Sequence, residues 1–86
     1  MEAKEIVILL TNKGYVAIEG NQIFDLWKNK SLKQIYEELQ QRYLSYNIHL
    51  GSLEEVSFKN AVEVSQQYLK SYKNLTINNK QNSNHK

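Results

Sequence analysis

The side chains that could carry acid–base chemistry are few in this sequence. There is one aspartate, Asp25, and there are two histidines, His49 and His85. A Ser/His/Asp arrangement would have to combine Asp25 with His49, and no serine stands in a nucleophile motif. We therefore interpret Asp25 as a solvated residue, expect no catalytic residue, and predict that the chain is not an enzyme.

Metal and phosphate sites lack their usual residues. The sequence has no cysteine, and no pair of histidines or acids has the spacing of metal ligands on a helix. Glu37–Glu38 and Glu54–Glu55 are adjacent pairs, whose side chains point in different directions on a helix. Three glycines are too few for a phosphate-binding loop. We expect no metal and no cofactor.

Length and composition limit the classes of protein. With 86 residues, the chain forms one domain with a small core and leaves little room for a deep substrate cavity. The absence of cysteine favours the reducing cytosol over secretion. The apolar run Ile6–Leu10 is too short for a signal peptide or a membrane span. We predict a cytoplasmic protein with no membrane partner.

The charge balance disfavours sequence-specific DNA binding. Eleven basic and nine acidic residues give a net charge of +2. Arg42 is the sole arginine of the sequence, whereas direct reading of bases in the major groove relies on the bidentate guanidinium group. Nucleic acid is therefore not the partner that we expect.

The first elements are predicted to form an antiparallel β-hairpin. Ile6–Leu10 is continuously apolar and rich in β-branched residues, which is typical of a strand covered on both faces. Thr11–Gly14 has the residues of a turn, and Tyr15–Ile18 follows as a second strand.

Three helices are predicted after the hairpin. Asn21 can cap a short first helix. One side of that helix carries Ile23, Leu26 and Trp27. Ser31 and Gln34 form a capping box for the second helix. The apolar stripe of the second helix follows helical spacing and consists of Leu32, Ile35, Tyr36, Leu39 and Tyr43.

The third helix is predicted from Leu53 to about Tyr72, after a linker over residues 44–51 and a capping box at Ser52–Glu55. Two apolar stripes run along this helix. A small domain rarely buries both stripes of one helix in its own core, so the second stripe is the best indication of a partner surface. That stripe consists of Phe58, Val62, Leu69 and Tyr72.

The predicted fold class is therefore α+β, with an N-terminal antiparallel β-hairpin followed by three α-helices. We expect a single domain over residues 1–73. From Asn74 the chain is polar and of low complexity, which predicts a disordered tail over residues 74–86.

The aromatic residues admit two interpretations. One tryptophan and six tyrosines could stack on bases, as in proteins that bind single strands. Packing is the better interpretation for the rings at core-compatible helical positions, which are Trp27, Tyr36, Tyr43 and Tyr68. Tyr15, on the second strand, is less easily assigned to the core.

An interaction surface is predicted at the strand Tyr15–Glu19. A two-stranded sheet exposes unpaired backbone groups at its edge, and an extended peptide can pair with them as an added strand. The second stripe of the third helix would form the floor beside that strand. Two alternatives stay open: the linker blocks this edge, or the edge pairs with a second copy in a homodimer.

The order of elements resembles a known family. The hairpin, the segment Gly20–Trp27, and the segment Ser31–Ile35 followed by Leu39 and Tyr43 are similar to the peptide-chaperone family of pyrroloquinoline quinone biosynthesis. Related members are the leader-peptide recognition domains of pathways that modify ribosomally made peptides. The resemblance runs from about Ile6 to Leu69 and is carried by hydrophobic patterns.

The resemblance implies a winged-helix-like domain that binds a precursor's leader as an added strand and presents it to a separate modifying enzyme. Lys59 or Lys70 would offer charge to an acidic leader. The chain departs from the family in having two predicted strands before the helices, where members usually have three, and Lys28–Lys30 where a glycine is common. The implied groove residues are Tyr15, Val16, Ala17, Ile18, Phe58, Val62 and Leu69.

Three functions compete on this basis. The leading hypothesis is a stand-alone peptide-binding module that captures a leader peptide. A winged-helix regulator that binds nucleic acid is the alternative, supported by the lysines at positions 28, 30 and 33 and opposed by the acids at positions 54, 55 and 63. The third is a small inhibitor or immunity-type protein that docks its third helix on a target enzyme.

Overall fold

The computed structural model describes the backbone of residues 4–84 and the side chains of residues 4–74. Within that range the chain is an α+β protein with a four-stranded sheet and two α-helices, which confirms the predicted fold class at this level. In chain order the elements are β1 (Glu5–Thr11), β2 (Gly14–Glu19), β3 (Gln22–Trp27), α1 (Leu32–Arg42), β4 (Asn47–Val56), a 3-10 turn (Phe58–Asn60) and α2 (Ala61–Asn84).

Strand β1 lies inside the sheet. The strand order is β3-β2-β1-β4, with β2 antiparallel to β1 and β4 parallel to it. Helices cover both faces, which explains why the run Ile6–Leu9 is apolar without alternation and fully buried. The predicted hairpin is confirmed, with Ile8 opposite Ala17 and Thr11 opposite Gly14 at the turn.

The predicted first helix is wrong, because its segment forms strand β3. Glu19 lies opposite Gln22, so a two-residue turn joins β2 to β3. Among the described residues only glycines have positive φ, and Gly20, at the first turn position, has a φ of +65°. That is the pattern of a type II′ hairpin turn, which matches the twist of the strands it joins.

A β-bulge explains the helical spacing of the apolar residues in β3. Ala17 lies opposite Asp25 while Ile18 lies opposite Ile23, so Phe24 is an extra residue in the strand. The extra residue interrupts the two-residue alternation. Ile23 and Trp27 consequently pack on opposite faces of the sheet, although a helix would have placed them on one side.

Helix α1 agrees with its sequence pattern. The predicted capping box is confirmed: the backbone N–H of Gln34 donates to Ser31 Oγ at 3.2 Å, and the N–H of Ser31 donates to Gln34 Oε1 at 3.0 Å. Ile35 and Leu39 are fully buried on its inner side. This helix connects β3 to β4 across one face of the sheet, so β4 runs parallel to β1.

The predicted linker and the predicted start of the third helix are also wrong. Residues Asn47–Val56 form strand β4, and α2 begins at Ala61. The Ser52 hydroxyl, predicted as a helix cap, accepts the N–H of Glu54 at 3.1 Å within the strand. A serine hydroxyl accepts nearby N–H groups in turns as well as at helix caps. A serine followed three residues later by a glutamate therefore does not by itself identify a helix start. Two α-helices are present in the described range, and the winged-helix form is not confirmed.

Two core clusters lie on opposite faces of the sheet, because successive side chains of a strand point to opposite sides. The face under α1, called the α1 face below, has a buried cluster of Ile6, Ile8, Ala17, Trp27, Ile35 and Leu39. The face under α2, called the α2 face, has a buried cluster of Val7, Leu9, Val16, Ile18 and Ala61.

Helix α2 continues as a backbone helix to Asn84. Its side chains beyond Asn74, together with His85 and Lys86, lie outside the described part of the chain. The disordered tail over residues 74–86 and the single domain over residues 1–73 therefore stay predictions. Neither helix within residues 4–84 is both long enough and apolar enough to cross a membrane.

Candidate functional site

Strand β2, the predicted peptide-binding edge, has no open side. It pairs with β1 on one side and with β3 on the other. Val16, Ala17 and Ile18 are buried, with at most 1% of their surface exposed. The prediction of a free edge at Tyr15–Glu19 is wrong because the segment that follows folds back as a third strand.

The helix residues of the predicted groove are part of the core instead. Phe58, Val62 and Leu69 are partly buried and pack on the α2 face, whereas Tyr15 packs on the α1 face. Tyr15 and these helix residues therefore lie on opposite sides of the sheet and do not line one groove.

The two lysines proposed to offer charge do not lie together. Lys59 is exposed in the 3-10 turn that precedes α2. Lys70 is exposed farther along α2 and borders a shallow surface pocket that also includes Gly20, at the turn between β2 and β3. The structure thus does not join the predicted site residues into one site.

The outer strands of the described sheet are β3 and β4, and β3 is the more protected of the two. The carboxylate oxygen Oδ1 of Asp25 accepts the backbone N–H of Leu26 at 2.9 Å. That N–H is therefore satisfied within its own strand. Together with the bulge at Phe24, this contact interrupts the pattern that an added strand would need.

A chain of charged groups connects β3 to α1. Arg42 Nη1 lies 3.4 Å from Asp25 Oδ2 and 3.1 Å from Glu38 Oε2, and Lys30 Nζ lies 2.8 Å from Glu38 Oε1. The hydrogen bond from Lys30 lowers the pKa of the Glu38 carboxyl, against the smaller opposing effect of burial. Asp25 thus belongs to an ion-pair network, and it does not contact His49.

Strand β4 is regular over its first four residues. Asn47, Ile48, His49 and Leu50 lie opposite four consecutive residues of β1, from Glu5 to Ile8. The N–H of Asn47 donates to the carbonyl of Lys4 at 2.8 Å. Because backbone groups alternate in direction along a strand, the N–H groups of Ile48 and Leu50 point away from β1.

The regular part of β4 ends at Gly51. Leu9 lies opposite Ser52, which leaves Gly51 as an extra residue, and a second irregularity precedes Val56. A Cβ at Gly51 would lie 2.7 Å from side-chain atoms of Val7 and Leu9. The bulge therefore brings the backbone against the core, where only glycine fits without displacement.

A groove of about 630 Å³ lies along the beginning of β4. Strand β4 contributes Asn47, Ile48 and His49 to its lining, and α2 contributes Tyr72. Helix α1 and the connection that follows it contribute Tyr36, Gln40, Tyr43, Leu44 and Tyr46. The groove thus has side chains from both faces of the sheet beside the open edge of β4.

Aromatic rings contact one another on both sides of this groove. On the α1 face, the ring centroids of Tyr43 and Tyr46 are 5.1 Å apart, and those of Phe24 and Tyr43 are 5.6 Å apart in an edge-to-face arrangement. On the α2 face, the His49 and Tyr72 rings are 4.8 Å apart, also edge to face. These contacts hold the groove walls in fixed orientations.

A polar cluster secures the beginning of β4 to the beginning of β1. Glu5 Oε1 contacts His49 Nε2, and Asn47 Nδ2 donates to Glu5 Oε2 at 3.2 Å. His49 Nδ1 lies 3.4 Å from the Tyr68 hydroxyl. Both ring nitrogens of His49 thus face groups of the protein itself. The arrangement links β4 to β1 through Glu5 and to α2 through Tyr68.

The electrostatics of this cluster follow from its burial. Burial raises the pKa of the Glu5 carboxyl, but hydrogen bonds from His49 and Asn47, with the charges of His49 and Lys73, outweigh burial and lower that pKa overall. Burial, followed by the proximity of Tyr72 and Glu5, raises the pKa of the Tyr68 hydroxyl. In the described residues, no group of three or more His, Cys, Asp or Glu side chains is placed to hold a metal ion.

Tyr72 belongs to the stripe predicted as a partner surface, but the other groove residues were not predicted to form a binding surface, although one signal was available. Tyr46–Leu50 alternates apolar or aromatic residues with polar ones and ends at Gly51, which is consistent with a strand. Nothing in the spacing indicated that His49 contacts Glu5. The packing interpretation of the aromatic rings is confirmed for Trp27, Tyr36, Tyr43 and Tyr68.

Comparison of the chain with protein-family models, with curated proteins and with solved structures finds no match. The resemblance to the peptide-chaperone family therefore stays a prediction. The segment Gly20–Trp27, which carried part of that resemblance as a helix, is a turn followed by β3.

Proposed function

We propose that this chain is a non-catalytic peptide-binding module that pairs an extended peptide with the first half of β4. The observation that carries the proposal is the open, regular edge Asn47–Leu50 beside a groove of about 630 Å³. Added strands bind through main-chain hydrogen bonds and gain specificity from pockets for alternate side chains. The beginning of β4 offers both.

The main-chain contribution comes from two residues. The N–H and C=O groups of Ile48 and Leu50 point away from β1, since Asn47 bonds inward to Lys4. At about 3.3 Å per residue, four residues give an edge of about 13 Å. That length accommodates a short strand and no more.

The side-chain contribution comes from both walls of the groove. An added strand would place alternate side chains on the α1 face, beside Tyr36 and Tyr46, and on the α2 face, beside Tyr72. The Glu5–His49 contact holds β4 against β1. The edge is therefore prepared before a peptide arrives, which lowers the ordering cost of binding.

The family resemblance supplies a partner for this mode of binding. If it holds, the peptide is the leader of a ribosomally made precursor, and the module presents it to a separate modifying enzyme in the cytoplasm. The strand that carries the peptide is then β4, in place of the β2 edge inferred from the sequence.

The nucleic-acid alternative gains no support from the lysine patch. Lys30 is engaged by Glu38 at 2.8 Å, which reduces the net charge that Lys28, Lys30 and Lys33 offer to a phosphate backbone. We therefore give the peptide-binding function precedence and use binding to single-stranded oligonucleotides as a control.

Strand addition at β4 can be tested with an unbiased library of displayed twelve-residue peptides, selected on the full chain and counter-selected on Ile48→Pro. Proline removes the outward N–H of residue 48 and leaves the inward hydrogen bond of Asn47 in place. Ile48→Ala is the matched control, because it shortens the side chain and keeps the N–H.

The selected peptides should shift the Ile48 and Leu50 amide resonances and slow their hydrogen exchange. Ile48→Pro should weaken binding by a factor of about 10 or more relative to Ile48→Ala, as expected for loss of one or two main-chain hydrogen bonds. Equal binding to the two variants, protection at β3 instead, or failure of the selection to enrich any peptide would contradict the function.

A further inference from the structure

The length and the charge of the groove indicate which peptides it accepts. Hydrogen bonding to β4 can continue only as far as the bulge at Gly51, since the register with β1 changes there. A segment bound as a strand therefore has about four or five residues in contact with β4.

The lining of the groove carries no aspartate, glutamate, lysine or arginine among the described residues. Its titratable imidazole, His49, already contacts Glu5. Two charged groups lie against the lining, Arg42 beside Tyr43 and Glu5 beside His49, but both already have partners within the protein. A charged peptide side chain would therefore lose hydration in this groove without gaining an unpaired opposite charge, which is unfavourable. The lining thus selects against charged side chains at the positions that enter it.

The wall on the α1 face is aromatic and structurally supported. Tyr36 is partly buried against the core cluster of that face, and the Tyr43 ring contacts the rings of both Tyr46 and Phe24. Aromatic side chains gain from edge-to-face contact with such rings in addition to the area they bury. The amides of Gln40 and Asn47 in the lining can accept or donate to a phenol hydroxyl.

On the basis of the proposed function, we infer that the partner is an uncharged, extended segment of four or five residues of another polypeptide, anchored by an aromatic side chain against Tyr36, Tyr43 and Tyr46. The aromatic anchor determines which peptide binds, and the edge of β4 determines that it binds as a strand. Leu44, with 87% of its surface exposed at the rim, extends the apolar contact beyond the anchor.

The test uses five synthetic peptides with capped ends, each built from alternating valine and threonine with one variable central residue. The central residue is tyrosine, leucine, glutamate or lysine, and the fifth peptide is the tyrosine peptide with two backbone nitrogens methylated. Binding to the full chain is followed by amide resonance shifts, which measure weak affinities directly.

The tyrosine peptide should bind about 10-fold more tightly than the glutamate and lysine peptides, and the leucine peptide should lie between them. Tyr36→Leu keeps apolar packing but removes the ring, so it should remove the preference for tyrosine over leucine. Gln41→Ala, an exposed change on the same helix outside the groove, should leave the preference unchanged.

The outcomes distinguish the aromatic anchor from binding by strand addition. If the charged peptides bind as well as the tyrosine peptide while methylation abolishes binding, the anchor is wrong and strand addition stands. If methylation has no effect while the preference for tyrosine persists, the strand addition is wrong and the groove chemistry stands. Absence of any shift with every peptide, or a self-associated chain whose β4 edge is already protected, overturns both.

Discussion

The two outer strands of the sheet, β3 and β4, differ in how their outward backbone groups are satisfied. At β3, a bulge at Phe24 and the carboxylate of Asp25 satisfy or displace the outward backbone groups. At β4, the regular stretch Asn47–Leu50 presents the outward N–H and C=O groups of Ile48 and Leu50 beside a groove, before bulges begin at Gly51. Sheets usually protect both edges against unwanted pairing, so this regular, unprotected stretch is the feature on which the proposed peptide site rests.

The second half of β4 resembles β3 in this respect. Leu53, Glu54 and Glu55 are exposed in a segment where the register with β1 is irregular. Bulges and charged residues at an edge are the usual means of preventing another strand from pairing. The contrast between open and protected backbone therefore falls within β4 itself, and Gly51 is the boundary.

The largest expected effect on stability comes from replacing Gly51. In Gly51→Ala the new Cβ would lie 2.7 Å from side-chain atoms of Val7 and Leu9, both fully buried. We expect a loss of about 1–3 kcal/mol in the free energy of unfolding, as for other overpacked cores. Urea unfolding measures it, and an unchanged midpoint would contradict the close approach described at Gly51.

Gly20→Ala is the control for that substitution. Nothing lies within 4 Å of the position of its Cβ, but its φ is +65°. The backbone cost should be about 1 kcal/mol. Gly20→Ala thus reports backbone strain without crowding, whereas Gly51→Ala reports crowding without a positive φ.

The second effect concerns pH and the attachment of β4 to β1. Since the folded-state pKa of Glu5 is lowered from 4.5, its contribution to stability is present above pH 4.5 and is lost as the pH falls through the folded-state value. Glu5→Gln should reduce stability at pH 7 by about 1 kcal/mol and flatten the decline in acid. Unfolding curves between pH 3 and pH 7 measure both, and equal pH dependence in the two proteins would contradict this role.

The third effect removes the protection of β3. Asp25→Ala deletes the acceptor for the Leu26 N–H and the partner of Arg42, and should cost about 0.5–1 kcal/mol. The variant should also self-associate through β3 as the protein concentration rises, which sedimentation velocity detects. Asp25→Asn, which keeps an acceptor, should sediment like the original chain. If both variants behave like the original chain, β3 is protected by its bulge alone.

The smallest effect is expected in the irregular half of β4. Leu53 has 79% of its surface exposed, so Leu53→Ser should change stability by less than about 0.5 kcal/mol and leave peptide affinity unchanged. Leu50→Ser, in the regular half and partly buried, should cost more in both measurements. A loss of affinity in Leu53→Ser would extend the binding edge beyond Gly51.

The sequence was sufficient for the elements whose signals are local. The unalternating run Ile6–Leu10 indicated a strand covered on both faces, and its residues 6–9 are fully buried in β1. Ser31 with Gln34 indicated the start of α1, which is also confirmed. These signals depend on residues within a few positions of each other, so they can be interpreted without knowledge of the rest of the fold.

Errors arose where one local pattern fits two structures. The spacing of Ile23 and Trp27 fits a helix, and it also fits a strand with one bulged residue. The dipeptide Gly20–Asn21 was the competing signal, since glycine followed by asparagine between apolar runs is typical of a two-residue hairpin. Once β3 is recognised, β2 can no longer be an edge.

The candidate site could not be predicted because it depends on long-range pairing. Strand β4 pairs with the side of β1 that β2 leaves uncovered. Its formation therefore depends on a segment that is distant in the sequence. The contact between Glu5 and His49, and the groove beside it, exist only after that pairing. No periodicity in either segment encodes the pairing.

The parallel position of β4 also predicts an order of assembly. Strands β1, β2 and β3 are consecutive and joined by two-residue turns, so they can pair quickly, whereas Glu5 meets Asn47 only after α1 has formed and crossed the sheet. Until then, one side of the most apolar strand is exposed. We expect a chain truncated before Asn47 to aggregate through β1, because β4 covers the apolar edge of that strand.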